Sequence, residues 1–580
     1  MITLQEETYR GLAASKGISI GKPFVYKTEI PKFDFNSSVK VVVKNEIDNY
    51  TEAVEQSKRE LKKIFNLAKE KLDEKNLLIF EAQLSFLHDD IFHKKIIERV
   101  RLEKKAAYIL FNNEIKLIEE KLISSQDDYI KEKVNDLEDI KSRVLRNMLK
   151  GKLISKIEEN CIVVAKNLTP SDTILFSNRK LLGFATNLGG TNSHVAIIAR
   201  SLNLPAVVGM ADITSHISSA DYLIVDGYKG LVIKNPSKET VALYKEQIKK
   251  NNSFEQSLQE IEKLPTKTKD GVKIELNVNL EFNKELDYVI THTGCGVGLY
   301  RTEHIFLAAG DFPSEEAQNK QYKMVAERLY PHNVTIRTFD IGGDKLLPES
   351  DKEANPFLGW RGIRICLDKP EKFLVQLRAI LRASKKGNVK IMFPMISGVE
   401  EVLKTKELLS KAKDDLRRKG VPFDEKIQIG IMVEVPSAVY VADALAKEVD
   451  FFSVGTNDLI QYLLAADRGS SLVAGIYQKF HPAVIKALTE IVKSANKNNI
   501  GLSVCGEMAG DPLGTLLLMG LGITDLSVEV SSFLRIKKLI RSVNHADVKK
   551  VAAQVVKMDE EKKINEYLMN YYNELLNDKQ

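Results

Sequence analysis

Cysteine is scarce in this chain: four among 580 residues, and Cys161, Cys295, Cys366 and Cys505 stand far apart with no paired spacing. That excludes a disulfide framework and a zinc site of the usual spacing, and suits a reducing compartment. Long apolar runs are also missing. The stretch Leu516 to Met519 is typical, far short of the roughly 20 residues that span a bilayer, so no membrane insertion is expected. The opening Met1-Ile2-Thr3-Leu4-Gln5-Glu6-Glu7 lacks the basic start and apolar centre of a secretory leader. Blocks of one charge are absent: Lys and Arg total 85 against 79 Asp and Glu, a net +6, and the two signs are interspersed. No nucleic-acid tail is expected from that pattern. No Gly-x-x-x-x-Gly-Lys-Ser/Thr string occurs, and no spare region is large enough for a further nucleotide fold, which excludes a P-loop nucleotide site.

What the chain does hold is size and order. At this length roughly two to four domains are expected, and 44% hydrophobic residues suffice for ordinary cores. Residues 10–28 read as short extended segments. Residues 45–148 are charged and low in Gly and Pro, with helical stripes such as Leu61, Ile64, Phe65 and Ala68, or Ile130, Val134 and Leu137, which predict a bundle of antiparallel helices. Beyond residue 150, buried-strand patterns (Cys161 to Ala165, Leu182 to Thr186, Ala206 to Gly209, Tyr222 to Asp226) alternate with turns, one of them at Asn167 to Asp172. The expected organisation is an α/β domain made from residues 1–34 and 149–236, a helical insert at 35–148, a connecting helix at 237–264 and a further domain at 265–580. In that last part eight candidate strands (272–279, 296–301, 334–340, 389–394, 428–434, 451–455, 501–505 and 524–529) are each followed by helical sequence, which predicts a (β/α)₈ barrel.

The most telling stretch is Gly189-Gly190-Thr191-Asn192-Ser193-His194. Two glycines lead to a capping serine, and Val195, Ile198, Ala199 and Leu202 then mark one helical face. His194 therefore falls in the first turn of a helix, where backbone N–H groups and the helix dipole favour an anion. A neutral imidazole there is a nucleophile whose phosphorylated form would be stabilised. With an ordinary imidazole pKa near ~6.5, most of it is neutral at pH 7 to 8.

In a barrel of this kind catalytic groups lie at the C-terminal strand ends. Arg301, Arg337, Glu434, Asn457, Asp458 and Cys505 fall there, with Arg468 one short helix further on. Arginines gathered in one mouth require an anion between them, and guanidinium groups match phosphate and carboxylate oxygens. Glu434 and Asp458 are suited to a hard divalent cation, Mg²⁺ above all. A substrate carrying phosphate and carboxylate would use the whole set, and phosphoenolpyruvate is the obvious candidate. Asp340-Ile341-Gly342-Gly343-Asp344-Lys345 is a further candidate phosphate-facing loop.

Taken together these residues resemble enzyme I of the bacterial phosphoenolpyruvate-dependent sugar phosphotransferase system, over essentially the whole chain. The resemblance is carried by Gly11 to Gly21, Leu168-Thr169-Pro170-Ser171-Asp172, the His194 loop through Gly209, Gly298-Leu299-Tyr300-Arg301-Thr302-Glu303, Asn355 to Arg361, Glu434-Val435-Pro436-Ser437, Ser453 to Leu459 and Ser503 to Gly510. It implies an α/β multidomain fold: a swivelling phosphohistidine domain with an inserted helical bundle, then a phosphoenolpyruvate-binding (β/α)₈ barrel that also dimerises. His194 matches the phosphorylated histidine. Arg301, Arg337, Asn457, Asp458 and Arg468 match the substrate-binding set, with Arg361 in a matching segment and expected to face the phosphate as well. Glu434 and Asp458 match the Mg²⁺ ligands, and Cys505 the proton donor to the enolate. The helical insert matches the docking site for the phosphocarrier HPr. A cytoplasmic homodimer that releases pyruvate, with no appended sensory domain, is the implied form. The family usually shows Gly-Gly-Arg-Thr-Ser-His, where this chain has Thr191 and Asn192 in the middle. That departure keeps a second reading in view: a non-catalytic, phosphoenolpyruvate-sensing regulatory paralogue.

Overall fold

A computed structural model describes residues 6–26, 41–72, 74–123, 128–149, 159–191, 193–281, 285–309, 311–342, 353, 355–470 and 472–577. The chain divides into two compact units, Met1–Asn252 and Ser253–Gln580.

The first unit holds an eight-stranded mixed sheet. Its strands are β1 (Glu7–Arg10), β2 (Leu12–Ser15), β3 (Ile18–Tyr26), β4 (Cys161–Ala165), β5 (Gly183–Thr186), β6 (Ala206–Val208), β7 (Leu223–Asp226) and β8 (Leu231–Lys234). They lie in the order β1-β8-β7-β3-β4-β5-β6-β2. The long β3 joins the two halves: Ile18 to Gly21 pair antiparallel with β7, and Lys22 to Tyr26 pair parallel with β4. All five residues of β4 are buried. Cys161, Val163 and Ala165 enter one core, Ile162 and Val164 another, as expected where both faces of a sheet are covered.

Between β3 and β4 the chain forms five helices: α1 (Val43–Lys69), α2 (Glu74–Leu87), α3 (Asp90–Glu103), α4 (Ala107–Ile123) and α5 (Asp128–Met148). On α1 the buried residues Tyr50, Ala53, Val54, Ser57, Leu61, Ile64 and Ala68 recur at helical spacing. The bundle core runs on into Ile174 and Ile198, which belong to α6 (Pro170–Ser177) and α7 (His194–Ser201). Helices α6 and α7 thus contribute one residue each to the bundle core. Asn167 to Asp172 is a helix start as much as a turn. Thr169 caps α6, its Oγ1 accepting from Asp172 N–H while the Asp172 carboxylate accepts from Thr169 N–H, and Pro170 opens the first turn. A short α8 (Ile213–His216) and the long α9 (Lys238–Glu260) follow. The division between the units falls inside α9.

The second unit is a closed barrel of eight parallel strands: β9 (Glu275–Leu280), β10 (Val297–Tyr300), β11 (Val334–Arg337), β12 (Val389–Phe393), β13 (Gln428–Val433), β14 (Phe451–Val454), β15 (Gly501–Val504) and β16 (Asp525–Glu529). β16 closes on β9, with Leu526 beside Leu276 and Val528 beside Val278. Each observed strand coincides with one of the eight expected, though β11 stops at Arg337 and not at Asp340. Alternation within the strands sorts two environments. Val334, Ile336, Ile391, Phe393, Ile431, Val433, Phe452 and Val454 pack into the large core shared with the helices. The intervening positions Met392, Met432, Phe451 and Cys505, with Leu299, form a separate cluster within the barrel. Among the described residues no helix is long and apolar enough to cross a membrane.

Candidate functional site

Two sets of chemically active side chains emerge, one in each unit. In the first, His194 opens α7, and Ser193 is the helix cap. Ser193 Oγ accepts from Ala196 N–H at 3.3 Å and donates to Gly190 O at 2.9 Å. Gly189 has φ +115°, a conformation that only glycine adopts without strain. Arg200, one helical turn and a half along, ties the loop down by donating to Thr191 O at 2.7 Å and Ala14 O at 2.9 Å. Asn192 lies outside the described residues.

The half-buried His194 ring meets a residue that sequence reading missed. Its Nδ1 lies 3.0 Å from Oδ1 of Asp136, on α5 of the helical bundle. An ionised carboxylate only accepts, so Nδ1 carries the proton and Nε2 carries the lone pair. Asp136 lies 58 residues away in the chain, and no local pattern signals the pairing. Asp172 is half-buried, and desolvation followed by the charge of Asp139 pushes its carboxyl above the usual range.

In the second unit the C-terminal strand ends gather the rest. Arg337, the last residue of β11, is buried; it donates from Nη2 to Glu303 Oε1 at 2.9 Å and pairs through Nη1 with Asp340 Oδ2 at 3.1 Å. Arg361 donates from Nε and Nη2 to both oxygens of Asp340 (3.1 and 2.9 Å), from Nη2 to Asp458 Oδ2 (3.0 Å) and from Nη1 to the Tyr462 hydroxyl (2.9 Å). Burial disfavours the charge on both guanidinium groups, but the surrounding carboxylates outweigh it and hold both well above the ordinary arginine range. Arg301 and Arg468 are held loosely and remain exposed by about 40%: Arg301 Nη1 lies 3.4 Å from Glu281, Arg468 Nη1 3.9 Å from Asp458. Asn457 exchanges two hydrogen bonds with Glu507, accepting from its N–H and donating to its carboxylate, both at 2.9 Å.

Glu434 follows β13 and is buried, and its Oε1 accepts from Met395 N–H at 2.7 Å. Burial, then the charges of Asp458 and Asp340, push its carboxyl up to about 8, against the pull of Arg337 and Arg361. Asp458 Oδ1 is buried and makes no hydrogen bond among the described residues. Two crowded carboxylates with an unsatisfied oxygen fit a hard dication, since its charge would relieve both penalties. Among the described residues no cluster of three or more His, Cys, Asp or Glu side chains is arranged to hold a metal. Cys505 follows β15 and is buried. Ser453 Oγ donates to its sulfur at 3.3 Å, and Asn279 Nδ2 donates to its carbonyl at 2.8 Å. Burial pushes this thiol upward, Ser453 pulling the other way, so it is a protonated S–H at neutral pH. The close approach of Thr456 leaves no room for a side chain at residue 506, where a Cβ would sit 1.9 Å from Thr456 Oγ1. Of the loop 340–345, Gly343, Asp344 and Lys345 lie outside the described residues, while Asp340 is the carboxylate shared by two arginines.

A barrel mouth lined by arginines and acids, in one chain with a histidine that opens a serine-capped helix, fits a class: enzymes that move a phosphoryl group from a small acidic substrate. Family models agree along the chain. The N-terminal model of the PEP-utilising enzymes matches residues 10–133, their mobile domain 157–230 and their PEP-binding domain 255–545. A phosphoenolpyruvate-protein phosphotransferase of Staphylococcus carnosus is 39% identical over 557 residues, covering 94% of this chain and 96% of the relative. One of Geobacillus stearothermophilus is 40% identical over 565 residues, 96% of each. A solution structure of Enzyme I (nEIt) is 36% identical, covering 42% of this chain and 99% of that one, with a TM-score of 0.36. The chain belongs to the phosphoenolpyruvate-protein phosphotransferase family, and it is a transferase that uses phosphoenolpyruvate.

Proposed function

We propose that His194 takes the phosphoryl group from phosphoenolpyruvate and passes it to a histidine of the carrier HPr, releasing pyruvate, as the first step of a sugar phosphotransferase system. The observation that carries this reading is the pairing of Nδ1 with Asp136, which leaves the lone pair on Nε2 in the first turn of α7. In the loading step Nε2 attacks phosphorus in line. The P–O bond to the enolate breaks as the P–Nε2 bond forms. The exposed Arg301 and Arg468 recruit the anionic substrate, and the buried Arg337 stabilises the transferring group. Arg361, with four N–H groups already committed, frames the site, and Asn457 orients the substrate carboxylate. The enolate takes its proton on carbon from the Cys505 S–H.

Glu434 and Asp458 would hold Mg²⁺, which when bound supplies positive charge to the phosphate. The helical bundle is the docking surface for the carrier, close to His194 through Asp136. Residues 1–34 with 149–236, 35–148, 237–264 and 265–580 are the phosphohistidine domain, carrier-binding insert, linker and dimerising barrel. A cytoplasmic homodimer completes the reading. Intact-mass spectrometry after incubation with phosphoenolpyruvate and Mg²⁺, with site mapping, tests it. One phosphoryl group on His194 is expected, and none after His194→Ala; an adduct on another side chain overturns the assignment.

A further inference from the structure

Two acidic residues in the barrel mouth, neither of them an expected metal ligand, organise both buried arginines. Glu303 is buried, and its Oε1 accepts twice: from Arg337 Nη2 at 2.9 Å and from the backbone N–H of Asp340 at 3.1 Å. Asp340 is also buried, and its carboxylate bridges Arg337 (3.1 Å) and Arg361 (3.1 and 2.9 Å). Arg361 thereby has four of its five N–H groups engaged, by Asp340 twice, by Asp458 and by Tyr462. Arg337 is held only at its two terminal nitrogens. Its buried Nε–H has no hydrogen-bond partner among the described residues, and a buried donor left without an acceptor is costly unless an anion comes to it.

We propose that Asp340, seated by Glu303, is a positioning residue for phosphoryl transfer. It fixes the planes and spacing of the Arg337 and Arg361 guanidinium groups, so that Arg337 keeps Nε–H for the substrate anion. The proposal rests on the reading of this mouth as the phosphoenolpyruvate site. A carboxylate between two cations lowers their mutual repulsion and, by paired hydrogen bonds to Arg361, dictates orientation. An amide in its place accepts on one side only and turns N–H groups toward an arginine. Because the substrate is itself strongly anionic, removal of the Asp340 charge leaves ground-state attraction intact and degrades alignment. The loss is therefore expected in kcat and not in KM.

The test is steady-state carrier phosphorylation by the full-length protein, with phosphoenolpyruvate varied at saturating Mg²⁺ and HPr. Asp340→Asn should lower kcat on the order of 10²-fold, as misplacement by an ångström does, with little change in the KM for phosphoenolpyruvate. Glu303→Gln should move kcat in the same direction by less, because it retains one acceptor oxygen. Melting curves establish that each variant is folded. A folded Asp340→Asn with kcat within about two-fold of the parent overturns the proposal, as does a loss confined to KM. Should Asp340→Asn fail to fold, Glu303→Gln decides by the same kcat criterion. Arg337→Lys separates the underlying reading: if it leaves both constants unchanged, the mouth is not the substrate site, whatever Asp340 does.

Discussion

At His194 the decisive partner comes from outside the loop. The Asp136 carboxylate fixes which ring nitrogen bears the proton, and on the proposed mechanism an imidazole turned to the other tautomer would present N–H to phosphorus where a lone pair is needed. Asp136→Asn should therefore slow phosphohistidine formation on the order of 10²-fold or more while leaving the fold intact, by analogy with acidic residues that orient catalytic histidines. Quenched-flow measurement of phosphorylated protein checks this; an unchanged rate would mean that Asp136 only packs against the ring. The residue scale also separates what a reader of the sequence can find from what is hidden. His194, with its Gly-Gly lead and serine cap, and the polar residues at strand ends are local patterns. Asp136, the pairing of Glu303 with Arg337 and the bridge from Asp340 to Arg361 are long-range contacts with no periodicity to announce them. Arg361 is visible as a candidate, but its commitment to Asp340, Asp458 and Tyr462 is not.

Elements in the two units carry desolvated titrating groups, one buried and one half-buried, with opposite signs. In the helical bundle His93 of α3 is enclosed: Nε2 donates to Leu87 O (3.1 Å), so Nδ1 accepts from the Tyr50 hydroxyl (2.7 Å). Burial lowers its pKa, against a smaller upward pull from the Leu87 hydrogen bond; Lys58 lowers it further, while Asp89 and Asp90 raise it. The unfolded chain binds that proton more readily, so the bundle loses stability as pH falls through the unfolded histidine value near ~6.5. At the start of β16, Asp525 accepts from Asn277 Nδ2 at 3.0 Å, and burial pushes its carboxyl up to about 6. Here the folded state binds the proton more readily. Its contribution is present below about pH 4 and is lost as pH rises toward 6, by up to about 3 kcal/mol. Calorimetry from pH 4 to 8 should show these opposing trends, with His93→Gln removing the first and Asp525→Asn the second. Trends that survive these substitutions would assign them elsewhere. The strands and helices concerned were legible as elements, because β9 to β16 repeat at regular spacing and α1 carries a clear stripe. The antiparallel β1 and β8 at the sheet edge were not, since a four-residue strand such as Leu231–Lys234 is defined by its partners more than by its own sequence.

Across the whole molecule the chemistry is divided: the histidine lies in the unit Met1–Asn252, the arginine-lined mouth in Ser253–Gln580, and α9 runs through the division. On the proposed mechanism a phosphoryl group cannot pass between them unless Nε2 reaches the mouth, whereas the proposed docking surface for the carrier belongs to the helical bundle. Turnover on this scheme needs repeated approach and withdrawal, for which the polar α9 is the natural pivot. Covalent cross-linking of the two units, by cysteine pairs introduced on either side of Asn252, should abolish multiple turnover. A preparation locked with the histidine in the mouth should still load once from phosphoenolpyruvate. A preparation locked apart should accept a phosphoryl group only from phosphorylated carrier, running the second half-reaction backwards. Reduction of the cross-link should restore both. Full turnover by either locked form would show that the two half-reactions share one arrangement and that no swivel is required.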